Sequence, residues 1–354
     1  ISVGAQTDRR LGIPGEDLEG SYSATDFVAW YNGHPDYKDA SFLLDQPKVA
    51  VVGVGNVAID VARILLSGPE RLAKTDIADH ALEALTNCAV REVVILARRG
   101  PLQAAFTNPE LRELLEMEDL SFEILQDELT LDPHSQAALT AEPDKMVQKR
   151  LELLSQAQLR PAAPKKLTLR FLVSPLEITG SRRVEGLRLG RNTLNDQLQA
   201  RDNGGREEMS IGTIFRSIGY KGEPLADLPF DTSRGVIPNQ GGRVVDPQGV
   251  AIPGIFVAGW IKRGPSGVIG TNKPCAKESV AALLSDARDG KLPTPSLTPD
   301  SHLPTSRVEF DAWKRIDEHE VALGVKAGRP RVKLVEREAM LQFARGDAKE
   351  VGAR

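Results

Sequence analysis

The sequence predicts an α/β protein built around a parallel sheet. Three observations carry this. Residues 48–52 (Lys-Val-Ala-Val-Val) and 92–97 (Glu-Val-Val-Ile-Leu-Ala) are near-continuous apolar runs, the pattern of strands buried on both faces. A glycine-rich turn, Gly53-Val54-Gly55, joins the first run to a segment with helical spacing of apolar residues. Glycines number 31 and aromatic residues only 5%, as suits a fold with many tight turns. A length of 354 residues points to about two domains, with enough chain for two sizeable cores.

The elements follow in order. Residues 1–8 read as the end of a strand, and Leu11 to Asp17 as a loop by its Gly and Pro content. Residues 23–32 fit a short helix with Phe27, Val28 and Tyr31 apolar. After the strand at 48–52, Val57 to Leu66 reads as a helix with Val57, Val61, Ile64 and Leu65 on one side. Thr75-Asp76 is expected to cap a helical stretch through Leu85. Beyond the strand at 92–97, residues 107–117 read as a helix, 121–126 as a strand and 139–159 as a polar helix. Residues 167–178, 183–190 and 208–219 look like strands of a mixed sheet. Residues 248–258 predict a turn and a buried strand, and 267–287 a long helix. Residues 291–306, rich in Pro, Ser and Thr, read as a linker before charged helices at 307–322 and 335–345.

Composition narrows the function classes. A net charge of −4 argues against a polyanion as partner of the whole molecule, and aromatic interleaving for nucleic acid is absent. No run of 18 apolar residues exists to span a membrane. Cys88 and Cys275 make no disulfide framework, no C-x-x-C redox pair and no four-ligand metal site. None of the four methionines is residue 1, and Ile1-Ser2-Val3-Gly4-Ala5 reads as a strand running into a turn. An upstream segment is therefore expected, together with any targeting signal. Ser2-Val3-Gly4 is echoed by Ser217-Ile218-Gly219, as two crossings between one pair of domains would produce.

Gly53-Val54-Gly55-Asn56-Val57-Ala58 fits G-x-G-x-x-G/A. Its place between a buried strand and a helix makes the pattern informative. Gly53 permits the tight turn, Gly55 the approach of a pyrophosphate, and Ala58 close packing of helix on strand. The amides of Asn56 and Val57 then lie at a helix N-terminus that favours an anion. The plainer alternative is an ordinary strand–turn–helix. An NAD site would carry Asp or Glu at the end of the second strand; Arg98-Arg99-Gly100 stands there instead. Guanidiniums grip a 2′-phosphate that a carboxylate would repel. The pair therefore favours NADP, against the alternative of a solvated Arg pair.

These residues also carry a resemblance. Gly55 to Leu65, Arg98 to Thr107 and Gly259-Trp260-Ile261-Lys262-Arg263-Gly264-Pro265-Ser266-Gly267-Val268-Ile269-Gly270-Thr271 resemble three long motifs, in order, of adrenodoxin reductase-type ferredoxin–NADP reductases. Leu11 to Asp17 and Gly328 to Leu334 fit as well, so the resemblance spans nearly the whole chain and is closest to bacterial members. It implies two Rossmann-like dinucleotide-binding domains, with the NADP domain inserted into a split FAD domain. Residues 1–8 and 217–354 would be a partial FAD domain with a C-terminal helical extension, and 9–216 the NADP domain. The FAD pyrophosphate turn that such an enzyme needs is not found, and is expected upstream of Ile1.

The resemblance also implies roles. Gly53, Gly55, Asn56, Val57 and Ala58 would bind the NADP pyrophosphate, and Arg98 and Arg99 the 2′-phosphate. Glu110 would lie near the NADP ribose or nicotinamide, with a plain helix-surface carboxylate as the alternative. Gly259, Trp260, Gly267, Val268 and Ile269 would contact FAD, and Gly267 would also admit the nicotinamide; a core aromatic is the alternative for Trp260. Asp60 and Glu113 are candidates for catalytic proton relay, with a structural role as the alternative. None of the five histidines matches a catalytic motif.

The implied activity is hydride transfer from NADPH to FAD, then single electrons to a ferredoxin-type iron–sulfur protein, in the cytoplasm of a bacterium. Ferredoxins are usually acidic. The basic stretch Lys145, Lys149, Arg150, Arg160, Lys165, Lys166 and Arg170 would steer one, unless it is a solvated polar helix. Two other readings compete: an NADP-binding module inactive without an upstream FAD segment, and the reductase subunit of a larger flavoprotein assembly. Gly259-Trp260 argues against the latter, whose members usually carry Gly-Asp at that place.

Overall fold

A computed structural model describes residues 1–158, 162–267, 269–294 and 307–347. In chain order the first elements are β1 (Thr7–Asp8), β2 (Ser21–Ser23), α1 (Ala24–Tyr31), β3 (Lys48–Val52), α2 (Asn56–Leu66), α3 (Pro69–Leu72), α4 (Asp79–Thr86) and β4 (Glu92–Leu96). Then come α5 (Asn108–Leu115), β5 (Leu120–Ile124), α6 (Gln126–Leu129), α7 (Pro133–Ala141), α8 (Lys145–Gln158), β6 (Lys165–Arg170), β7 (Val173–Thr179), β8 (Gly186–Leu194), β9 (Ala200–Ser210) and β10 (Thr213–Arg216). The rest are β11 (Tyr220–Lys221), β12 (Asn239–Gln240), β13 (Arg243–Val245), β14 (Ala251–Phe256), α9 (Trp260–Arg263), α10 (Ile269–Arg288), α11 (Phe310–Ala327) and α12 (Arg337–Arg345).

The chain divides into two compact units. The larger holds Arg10–Ile218 and Val308–Arg354, the smaller Ile1–Arg9 and Gly219–Arg307. In the larger unit a six-stranded parallel sheet runs β2-β10-β3-β4-β6-β5. Side chains alternate between its faces. Val49, Val51, Val93 and Ile95 pack with α2 and α5 residues such as Ile59, Ala62, Leu65 and Leu111. Ala50, Val52, Val94 and Leu96 pack instead with Val173, Ile178, Leu187 and Leu189 of a three-stranded antiparallel sheet, β7-β8-β9. Covering on both faces is why β3 and β4 read as unbroken apolar runs.

The expected mixed sheet is corrected here. The run 167–178 splits at Leu172, whose φ of 56° is left-handed, so β6 stays in the parallel sheet while β7 enters the antiparallel one. The helix expected at 139–159 is two, the end of α7 and then α8, with residue 159 outside the described residues. Thr75 caps no helix: its hydroxyl donates to the Leu72 carbonyl at the end of α3, and α4 starts only at Asp79.

The smaller unit has a small core of Ile237, Val244, Val257 and Ile261. Its β14 pairs antiparallel with β13, and its residues are exposed or half-buried rather than buried as the sequence suggests. Part of the 291–306 stretch, residues 295–306, lies outside the described residues.

The C-terminal helices cluster with the larger unit, whereas the sequence reading groups them in one domain of residues 1–8 and 217–354. The reason is a set of contacts with the turn after α1 and with the loop before α4 and its first residue. Arg329 donates to the Thr75 carbonyl at 3.1 Å and pairs with Asp79 at 2.5 Å. Lys333 pairs with Asp76 at 3.1 Å, and Val335 lies over Gly33. No helix among the described residues is long and apolar enough to cross a membrane.

Candidate functional site

Gly53 leaves β3 with a φ of 119°, a conformation that glycine adopts without the steric cost a Cβ brings. A Cβ there would lie 2.0 Å from the Ser217 carbonyl oxygen. Gly55 differs. It is the N-cap of α2, extended at φ −99° and ψ −179°, and a Cβ there would meet nothing within 4 Å. No side chain caps this helix, and the first amide with an intrahelical partner is that of Ile59, bonded to the Gly55 carbonyl at 3.3 Å. The amides of Asn56, Val57 and Ala58 therefore stand at an uncapped, partly positive helix end. Asn56 spends its side chain elsewhere, accepting from the Thr107 amide at 2.8 Å. The Val54 carbonyl accepts from the Ala105 and Phe106 amides. The glycine turn is thus stitched to the segment after β4.

That segment carries the arginine pair. Arg98 and Arg99 are exposed and enter none of the ion pairs among the described residues. Their backbone is held firmly: Asn192 Nδ2 donates to the Arg98 carbonyl at 2.9 Å, and the Leu172 amide to the Arg99 carbonyl at 3.1 Å. Two free guanidiniums on a fixed backbone, near an uncapped helix end, suit an anionic ligand with more than one phosphate. An open Cβ position at Gly55 and the absence of a carboxylate partner for the pair fit NADP.

Asp60, Glu110 and Glu113 converge on one cation. Arg63 pairs with Asp60 at 2.5 Å and with Glu113, and its guanidinium lies 4.0 Å from Glu110. Burial pushes the Asp60 carboxyl above the usual carboxylate range; Arg63 opposes this and Glu110 adds to it.

In the smaller unit Gly259 turns at φ 77° and opens the one-turn α9. Its amide donates to Cys275 Sγ at 3.3 Å. Trp260 is half-buried and stacks on Tyr220, with centroids 5.8 Å apart and planes 17° from parallel. The Trp260 Nε1 is buried without a hydrogen-bond partner among the described residues, a donor available to a polar ring edge. Gly267 is exposed at φ 79°. The helix it was expected to open begins two residues later, at Ile269. Val268 lies outside the described residues.

The basic stretch of 145–170 does not form one patch. Lys149 pairs with Glu152, Lys166 with Glu123, and Lys165 with Asp119 while donating to the Leu66 carbonyl. Arg150 turns inward, donating to the Leu102 and Phe106 carbonyls at 3.2 and 3.3 Å. Arg170 is buried and donates to Glu128 and Glu207. Arg160 lies outside the described residues. Strand and helix spacing sends these neighbours in sequence to different faces.

Sequence reasoning missed Asn192, which holds the Arg98 carbonyl, and Glu128, which takes Arg170, Arg191 and the Phe171 amide; it gave Arg150 to a surface patch, whereas Arg150 holds the Leu102 and Phe106 carbonyls of the segment after β4. The Asn192 contact spans 94 residues of sequence. A mid-strand Asn, which strands disfavour, was its one legible signal.

No family model matches the chain. It is 44% identical over 360 residues to NADPH-ferredoxin reductase FprA of Mycobacterium tuberculosis, covering 98% of this chain and 78% of that protein. It is 38% identical over 370 residues to the mitochondrial NADPH:adrenodoxin oxidoreductase of Arabidopsis thaliana, covering 97% and 76%. The solved structure of M. tuberculosis FprA in complex with NADPH superposes with a TM-score of 0.88 at 43% identity, over 98% of this chain and 78% of that one. The α/β fold is therefore that of these reductases, and the chain belongs to the adrenodoxin reductase-type NADPH–ferredoxin reductase family of oxidoreductases.

Proposed function

We propose that this protein is an NADPH-dependent ferredoxin reductase that uses FAD and passes single electrons to a ferredoxin-type iron–sulfur protein. One observation carries the reading: an exposed Arg98–Arg99 pair, without an ion-pair partner among the described residues, follows β4 while an uncapped glycine turn follows β3 beside it, in a chain 44% identical to a reductase named for NADPH. When bound, NADPH and FAD supply the hydride chemistry and the change from paired to single electrons.

The chain's own residues then bind and orient. Gly53 sets the turn, and Gly55 leaves room for a pyrophosphate. The amides of Asn56, Val57 and Ala58 stabilise its charge. Arg98 and Arg99 grip the 2′-phosphate. Glu110 faces the ribose and nicotinamide side of the site. In the smaller unit Gly259, Trp260, Gly267, Val268 and Ile269 contact the flavin, with Trp260 Nε1 as a donor. Gly267 also admits the nicotinamide. Asp60 and Glu113 share Arg63, so we assign them to holding that guanidinium rather than to proton relay. The names of the relatives favour electron transfer over a nucleotide-binding module or an assembly subunit. A bacterial cytoplasm is the proposed setting, by analogy with the bacterial relatives.

The test is NADPH-driven reduction of an added ferredoxin by the purified, FAD-loaded protein. Turnover with NADPH well above that with NADH supports the reading. A flavin-loaded protein that binds NADPH but reduces no ferredoxin would overturn the electron-transfer part. Equal use of NADH would overturn the role of the arginines.

A further inference from the structure

Arg98 and Arg99 leave the end of β4 where no ladder from the parallel sheet continues. What fixes their backbone comes from the neighbouring antiparallel sheet. Asn192 in β8 is buried, at 6% exposure. Its Nδ2 donates to the Arg98 carbonyl at 2.9 Å and to Ser174 Oγ at 2.8 Å, and its own amide donates to the Leu172 carbonyl at 2.7 Å. Leu172, in turn, donates its amide to the Arg99 carbonyl at 3.1 Å. Leu172 sits at φ 56°, a conformation a branched side chain adopts only where its surroundings impose it. The Asn192 and Arg99 bonds impose it here. The residue before Asn192, Arg191, lies where the β8–β9 register shifts and pairs with Glu128 and Asp127. Asn192 thus sits in a strand tied down at its neighbour, with its own side chain on the arginine backbone.

We propose that Asn192 is a positioning residue for nucleotide selection. It touches no ligand; by holding the Arg98 carbonyl directly and the Arg99 carbonyl through Leu172, it sets where both guanidiniums project. Preference for a 2′-phosphate then depends on it. This rests on the reading of Arg98 and Arg99 as the 2′-phosphate clamp. A bidentate grip is sensitive to geometry, so a loosened backbone weakens that contact more than contacts made by the glycine turn.

The experiment compares binding of 2′,5′-ADP and 5′-ADP to the full chain by titration calorimetry, which needs no flavin. The readout is the ratio of the two dissociation constants. Asn192→Leu keeps the branched shape and removes the amide donors; Asn192→Ala is the second variant should the bulkier leucine fail to fold. The ratio should fall about three- to tenfold, as for loss of one hydrogen bond's worth of order, with 5′-ADP affinity unchanged. A parent-like ratio in a folded variant overturns the inference, and so does an equal loss for both ligands, which marks a merely structural role. The Arg98→Ala/Arg99→Ala double variant separates the two layers. If it leaves the ratio intact, the clamp reading itself fails. If it lowers the ratio while the Asn192 variants do not, only the positioning role fails.

Discussion

Replacing each glycine of the turn by alanine should have opposite consequences, although a single residue, Val54, separates them. At Gly55 the backbone is extended and a new methyl meets nothing within 4 Å, so alanine costs only about 0.5–1 kcal/mol, the ordinary penalty at an N-cap. The methyl does occupy the space a pyrophosphate needs. Losing one or two charge-assisted amide bonds at about 1.5–3 kcal/mol each weakens binding by about 10-fold to more than 1,000-fold. At Gly53 the same methyl would lie 2.0 Å from the Ser217 carbonyl oxygen and 2.7 Å from its carbon, at a φ of 119°. Positive φ costs alanine about 1–2 kcal/mol, and displacing backbone adds about 1–3 kcal/mol. Gly53→Ala should therefore unfold at clearly lower urea. Urea titration and calorimetry with NADPH on both variants measure the two quantities separately. If Gly55→Ala binds NADPH like the parent, or if Gly53→Ala is as stable as Gly55→Ala, the reasoning from turn geometry is refuted.

Other predictions follow the same geometry. Arg98→Ala and Arg99→Ala should each raise the NADPH dissociation constant about 10- to 100-fold through one lost charge-assisted contact and leave NADH binding unaltered; a parallel loss for NADH would count against 2′-phosphate recognition. Glu128, 1% exposed, accepts from Arg170, Arg191 and the Phe171 amide. Glu128→Ala takes the buried carboxylate from the Arg170 guanidinium, leaving it only Glu207, and should cost about 3–5 kcal/mol, read from urea midpoints, with a loss below 1 kcal/mol refuting it. Hydrogen bonding to Arg243 at 2.8 and 2.9 Å holds the Asp286 carboxyl below the usual carboxylate range. A carboxyl depressed by folding contributes stability that is whole above its unfolded value, about 3.9, and lost as pH falls through the folded one. The smaller unit should therefore weaken below about pH 4, and Asp286→Asn should flatten that acid limb in a melting-against-pH series. Parent-like acid sensitivity in the variant would show that another group controls it.

Some of this structure was legible from local pattern alone. The strands at 48–52 and 92–97 coincide with β3 and with β4 and its extension because burial on both sheet faces demands an apolar residue at every step. The glycine turn and the arginine pair were legible because turn geometry and phosphate recognition each depend on consecutive residues. Where spacing left two readings, contacts from distant chain decided between them. The stretch 167–178 looks like one strand, yet left-handed Leu172 divides it between two sheets. The charged residues of 145–170 look like one patch, yet Glu123, Glu128, Glu152 and Asp119 each take a different member.

Charge and hydrogen-bond partners are long-range properties, so a local pattern cannot assign them. Asp60 and Glu113 are 53 positions apart in sequence and meet only because α2 and α5 pack on one sheet face and present them to Arg63. Asn192 reaches Arg98 across 94 residues because a second sheet covers the far side of β4. Residue type and spacing were enough to mark a dinucleotide turn with a preference for a 2′-phosphate, since those depend on backbone conformation and charge at adjacent positions. Which carboxylates are neutralised, which cations stay free and what holds the free ones in place depend on packing that closes loops of many residues, and folding alone settles them.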